Sequence, residues 1–218
     1  MNKVILAAAL LLGGATGALA QPQPPSELER ARTLIDQHQP AQALALLDPL
    51  VAKAIADEAK DPKAPCPRYA VAMIQRMMPA NVTVTLPNDF CDVMLARGYA
   101  LTELKRTAEA EQMLATLVGH DPQNPQYLIE YAFAVRSNGG NERALDLYRQ
   151  AQQLGTKVAD KRLSRHVQAV ALRGQGFTLS DLGRWHEAVS AYKQSQRFEP
   201  DDAIAAHELQ WIAQNRPH

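Results

Sequence analysis

Apolar and small residues recur along this chain at helical spacing, in stretches that end at a proline. In the last stretch Gly176, Leu179, Gly183, Trp185, Ala188, Tyr192 and Pro200 fall at fixed intervals. Gly98, Leu101, Lys105, Thr107, Ala110, Leu114 and Pro122 repeat that spacing position for position. Ala132, Val135, Gly139, Asn141, Ala144 and Tyr148 give a third copy. Periodicity of this kind predicts pairs of amphipathic helices. Gly139 and Gly183 are placed to take the left-handed conformation that ends a first helix. Pro122 and Pro200 cannot continue a second one.

A weaker copy precedes these. Ser26 with Glu29 reads as a capping box, Leu28, Ala31 and Leu34-Ile35 line one face, and Gln39-Pro40 marks a turn. A second helix follows from Ala43 to Leu50, with a kink expected at Pro49. The stretch from Asp57 to Phe90 breaks the pattern, because Asp61-Pro62-Lys63-Ala64-Pro65-Cys66-Pro67 is too rich in proline. Within it a helix from Arg68 to Met78 is expected. Val82 to Leu86 alternates like a strand, but a strand without a partner is unstable, so an extended arm lying on the helices is predicted. Ala203 to Trp211 reads as a closing helix.

The three spaced sets resemble the tetratricopeptide repeat (TPR), a helix-turn-helix of 34 residues. The Trp185-His186-Glu187-Ala188-Val189 stretch is the best match. In the repeat's own register the copies start at Cys91, Pro125 and Ala169, 34 and then 44 residues apart, which places about ten inserted residues around Thr156–Gln168. The resemblance implies an all-α solenoid in which Gly98, Ala132 and Gly176 of the first helices (A) face Ala110, Ala144 and Ala188 of the second (B). Leu114, Tyr148 and Tyr192 are expected beside that contact. One repeat cannot bury its apolar face, so repeats stack. The expected organisation is a signal peptide over 1–20, a degenerate repeat over 21–57 and an irregular insertion over 58–90. Repeats over 91–124 and 125–155 follow, then an inserted connector over 156–168, a repeat over 169–202 and a capping helix over 203–218.

Composition narrows the function. The 218 residues carry 23 basic and 23 acidic side chains, so no electrostatic footprint for nucleic acid or anionic lipid is present. Aromatic residues make up only 6%, which disfavours sheet-rich folds. Met1-Asn2-Lys3, the apolar run Val4–Leu12 and Ala18-Leu19-Ala20 describe a cleaved secretory signal, its core too short to span a bilayer. A periplasmic or secreted chain, without membrane insertion after cleavage, is expected. Export makes Cys66 and Cys91 a candidate disulfide, against two buried free thiols. It would close a loop of about 25 residues, worth roughly 3.5 kcal/mol in the chain-entropy picture.

Catalytic signals are poor. His186-Glu187 and His207-Glu208 begin like zinc-protease helices but lack the second histidine, and Gly174-Gln175-Gly176 is too short for a dinucleotide loop. Met73, Met77 and Met78 could offer thioethers to Cu(I), but they read better as gap-filling core residues. No enzyme, cofactor or metal is expected.

The resemblance also implies that positions 5, 9 and 12 of helix A line a concave groove. Position 9 gives Tyr99, Phe133 and Phe177, position 5 gives Leu95, Ile129 and Arg173, and position 12 gives Thr102, Arg136 and Ser180. The Lys and Asn with which chaperone-binding members grip a terminal carboxylate are absent from positions 5 and 9. What remains is an aromatic ladder with Arg136 and Arg173 beside it, the residue types that dominate binding hot spots. The expected function is a protein-interaction adaptor in the bacterial cell envelope, holding a peptide or helix in this groove. The alternative is a structural subunit of an envelope assembly complex that stacks through its solenoid surface.

Overall fold

A computed structural model describes residues 25–60 and 90–215. The described residues form nine helices and no strand: α1 (Glu27–Asp36), α2 (Pro40–Glu58), α3 (Phe90–Glu103), α4 (Thr107–His120), α5 (Pro125–Ser137), α6 (Asn141–Gly155), α7 (Lys161–Asp181), α8 (Trp185–Phe198) and α9 (Ala203–Asn215). Each packs mainly on its neighbours in sequence, and each first helix of a pair also touches the first helix of the next pair. The second helices have no comparable contact with one another. The result is an α-solenoid with its first helices (α1, α3, α5, α7) on the inner side of the curve.

The turn inside each pair is built the same way four times. His38, Lys105, Gly139 and Gly183 all have positive φ, at 56°, 58°, 85° and 70°. The next N–H in each case (Gln39, Arg106, Gly140, Arg184) donates to the carbonyl of Leu34, Leu101, Val135 or Leu179 at 2.8 to 3.0 Å. This is the six-to-one bond of a Schellman ending. His38 fixes the register of the N-terminal pair, and Ala31 and Ala43 then match the close-contact positions of the other three. Both are fully buried, as are Ala110, Ala132, Ala144 and Ala188. The capping box forms as read: the Glu29 N–H donates to Ser26 Oγ at 3.2 Å and the Ser26 N–H donates to Glu29 Oε2 at 2.6 Å.

Three details differ from the expectation. The groups pressed on Gly98 and Gly176 are the side chains of Leu114 and Tyr192, while Tyr148 reaches Gly174 of the following pair. Helical side chains lean toward their own N-terminus, so a residue one turn past the small alanine covers the spot beside it. Pro49 lies inside helix α2. Pro49 and Ala45, whose carbonyl loses its intrahelical partner, are both exposed, so water can serve that carbonyl. Residues 156–168 are only in part a connector, because Lys161 to Gln168 form the first two turns of the 21-residue α7. Asp160 sets that start by accepting from the Leu163 N–H at 2.8 Å.

α3 packs directly on α2, so the pairs stack without a gap across the intervening residues. The arm, its expected helix and strand, the methionine cluster, the signal segment and Cys66 lie outside the described residues. Cys91 is buried at the start of α3.

Candidate functional site

The position-9 residues sit on the inner helices, but they do not form one ladder. Phe133 of α5 is 39% exposed, unusual for so large an apolar ring. The Arg136 guanidinium lies 5.8 Å from the Phe133 ring centre and 5.2 Å from that of Phe177 on α7, bridging two consecutive inner helices. Position 12 is one turn from position 9, so an arginine there reaches both its own helix's ring and the next one's. Asp181 Oδ2, 3.3 Å from Arg136 Nη1, fixes the other side of the guanidinium. Phe177 is held from behind by Tyr192, edge-on at 5.6 Å. Phe133, Arg136 and Phe177 therefore form one preset patch with an apolar face and a cation.

Tyr99 is turned to a different task. It is half-buried between α3 and α5, where its hydroxyl donates to Glu130 Oε1 at 2.8 Å and accepts from Gln126 Nε2 at 3.3 Å. Burial and the neighbouring Glu130 charge push the Tyr99 phenol well above its ordinary range. Burial likewise raises the Glu130 carboxyl to about 7, although the hydrogen bond from Tyr99 acts in the opposite direction. Leu95 and Ile129 are core residues, 9% and 8% exposed.

Arg173 is also removed from the patch. Its Nη1 lies 2.9 Å from Glu199 Oε2 and 2.6 Å from Asp202 Oδ2, and its side chain is 14% exposed. His166 Nδ1 shares Glu199 at 2.7 Å, and Arg165 donates to the Phe198 carbonyl at 2.7 Å. Burial alone would raise the Glu199 carboxyl, but the hydrogen bonds of His166 and Arg173 outweigh it and hold it below its ordinary value. This network ties α7, from Arg165 to Arg173, to the end of α8 and the turn that leads into α9.

The network belongs to a cleft of about 1390 Å³ that the repeat pattern does not reveal. It opens on the edge where second helices hand over to first ones, between residues 121–125, 154–166 and 198–204. Its existence depends on the two added turns of α7, which at 1.5 Å per residue extend the helix by about 12 Å. The signal that could have found it is Asp160 read as a helix cap.

Among the described residues no group of histidine, cysteine and carboxylate side chains could hold a metal ion, and no helix is long and apolar enough to cross a membrane.

No protein-family profile and no curated protein matches this chain. Solved structures do. The chain is similar to YrrB, described as a TPR protein with an unusual peptide-binding site, at 16% identity and a TM-score of 0.48, over 84% of this chain and 90% of that one. It is also similar to MamA (residues 41 to the end) from Desulfovibrio magneticus RS-1, at 14% identity and a TM-score of 0.44, over 82% of this chain and 98% of that one.

Proposed function

We propose that this chain is an exported adaptor that holds a peptide or helix of a protein partner on its inner face, against Phe133, Arg136 and Phe177. The observation that carries the reading is the exposed Phe133 ring joined to Phe177 through one guanidinium. Two rings bridged by one arginine supply rigid apolar area and a positioned guanidinium, which is the usual make-up of a binding hot spot. Export rests on the first twenty residues, and N-terminal sequencing of protein recovered from the cell envelope should begin at Gln21. The Cys66–Cys91 disulfide belongs to the same reading.

The direct test is recovery of partners from an envelope extract with wild type and with Phe133→Ala/Phe177→Ala. Loss of a specific partner by a folded variant supports the inner face, and equal recovery removes binding from it.

A second reading, a structural subunit that stacks on a neighbour, is favoured by α9. This last helix leaves Ile204 and Trp211 52% and 44% exposed, with Trp211 against Trp185 at 6.1 Å. Light scattering separates the two readings: a stable oligomer favours the subunit, a monomer the adaptor.

A further inference from the structure

The edge cleft has two properties that specify an occupant. At about 1390 Å³ it exceeds the usual range of small-molecule pockets, roughly 300–1,000 Å³, and so suits a stretch of polypeptide. Its apolar lining comes from both sides, with Leu154, Val158 and Leu163 from the α6–α7 junction and Phe198 and Ile204 from the α8–α9 junction. Ile204, at 52% exposure, is the most exposed large apolar side chain among the described residues.

The charges of the cleft are divided unevenly. Asp160 caps α7, and Glu199 and Asp202 are turned inward onto Arg173, with His166 also on Glu199. Lys157, Lys161 and Arg162 are exposed at the mouth, and no ion pair joins them to a described residue. Of the other acids in the cleft, Asp121 is buried and accepts from the Gln123 N–H, and Asp201 is exposed at the mouth with no ion pair to a described residue. An apolar trough with a cationic lip complements a segment whose apolar side chains alternate with carboxylates. We propose that this cleft docks an acidic amphipathic segment of a protein partner, separately from the inner-face patch.

The probe is a phage-displayed library of random 16-residue peptides panned on the full chain, with selected peptides synthesised and titrated by fluorescence anisotropy. Binding is compared for wild type, Lys157→Glu/Lys161→Glu/Arg162→Glu, Ile204→Asp and Phe133→Ala/Phe177→Ala, each first shown to be helical by circular dichroism. The expected peptides combine Asp or Glu with spaced Leu, Phe or Trp. They should lose tenfold or more in affinity on charge reversal or at Ile204→Asp, weaken in 300 mM salt, and bind the inner-face variant unchanged. Selected peptides without acidic residues, peptides that bind the charge-reversed chain equally, peptides lost only in the inner-face variant, or no selection at all would each overturn the proposal.

Discussion

The ring of Tyr192 stands where a side chain on Gly176 would have to begin. A Cβ built on that glycine falls 2.6 Å from Tyr192 Cε1 and 2.7 Å from Cζ, closer than real carbon contacts allow. The pair joins α7 to α8 in the last repeat, and Phe177, one residue on, stacks edge-on against the same ring. The spacing of two helices and the backing of the inner-face patch therefore share one contact.

Gly176→Ala should destabilise the chain by about 1–3 kcal/mol, because a buried rigid ring cannot step aside. Gly98→Ala should be far milder: the added methyl meets the tip of Leu114 at 2.8 Å, a flexible group, and alanine recovers about 1 kcal/mol of helix propensity. The combination Gly176→Ala/Tyr192→Leu reproduces the Gly98 arrangement with one added carbon and should restore part of the loss. Urea melts of the four chains decide this, and equal destabilisation by the two glycine changes would refute the assignment.

At the turns, Lys105 bears a side chain where its equivalents Gly139 and Gly183 do not. Lys105→Gly should stabilise by about 0.5–1 kcal/mol and Gly183→Ala should destabilise by about 1 kcal/mol or more. Thermal midpoints moving in the same direction for both would show that the left-handed geometry is not what governs these sites.

Glu130 makes stability depend on pH. Its carboxyl titrates near 7 in the folded chain against an ordinary value of 4.5, so the folded state keeps the proton longer than the unfolded one. Stability supplied by the protonated form is complete below about 4.5 and is lost as pH rises through about 7, up to about 3 kcal/mol in all. Glu130→Gln, which keeps an acceptor for the Tyr99 hydroxyl, should flatten that decline. Denaturant midpoints between pH 4.5 and 8 that run parallel in the two proteins would count against it.

Arg173 holds two carboxylates, and the Asp202 side chain is 4% exposed. Arg173→Ala leaves that acid buried without a counter-charge and should cost about 3–5 kcal/mol. Arg173→Lys, a single ammonium in place of a fork, should recover part of this. A full-stability Arg173→Ala protein would return the residue to the list of candidate ligand contacts.

The repeat architecture was legible because it is local. Gly139 and Gly183 mark turns by their own conformational freedom, and the small residues at Gly98, Ala132 and Gly176 announce close helix contacts. The inner-face patch was half legible: Phe133, Arg136 and Phe177 share a face by register alone. Tyr99 at position 9 and Arg173 at position 5 fall on the same expected face yet leave the patch, because their partners, Glu130, Glu199 and Asp202, sit on other elements and no periodicity reports them. The cleft was missed for a related reason. An insertion is read as a gap in a repeat, while Asp160 converts most of it into helix.

α3 meets α2 more extensively than α5 meets α4, with Arg97 Nε on Asp48 of α2 at 2.9 Å and Asp92 on Arg32 of α1 at 3.0 Å. Register across that junction is thus written in the two facing surfaces themselves. Residues 25–60 and 90–215 thus present complementary surfaces to each other across the α2–α3 contact. Expressed as separate polypeptides, they carry the matching faces needed to reassemble.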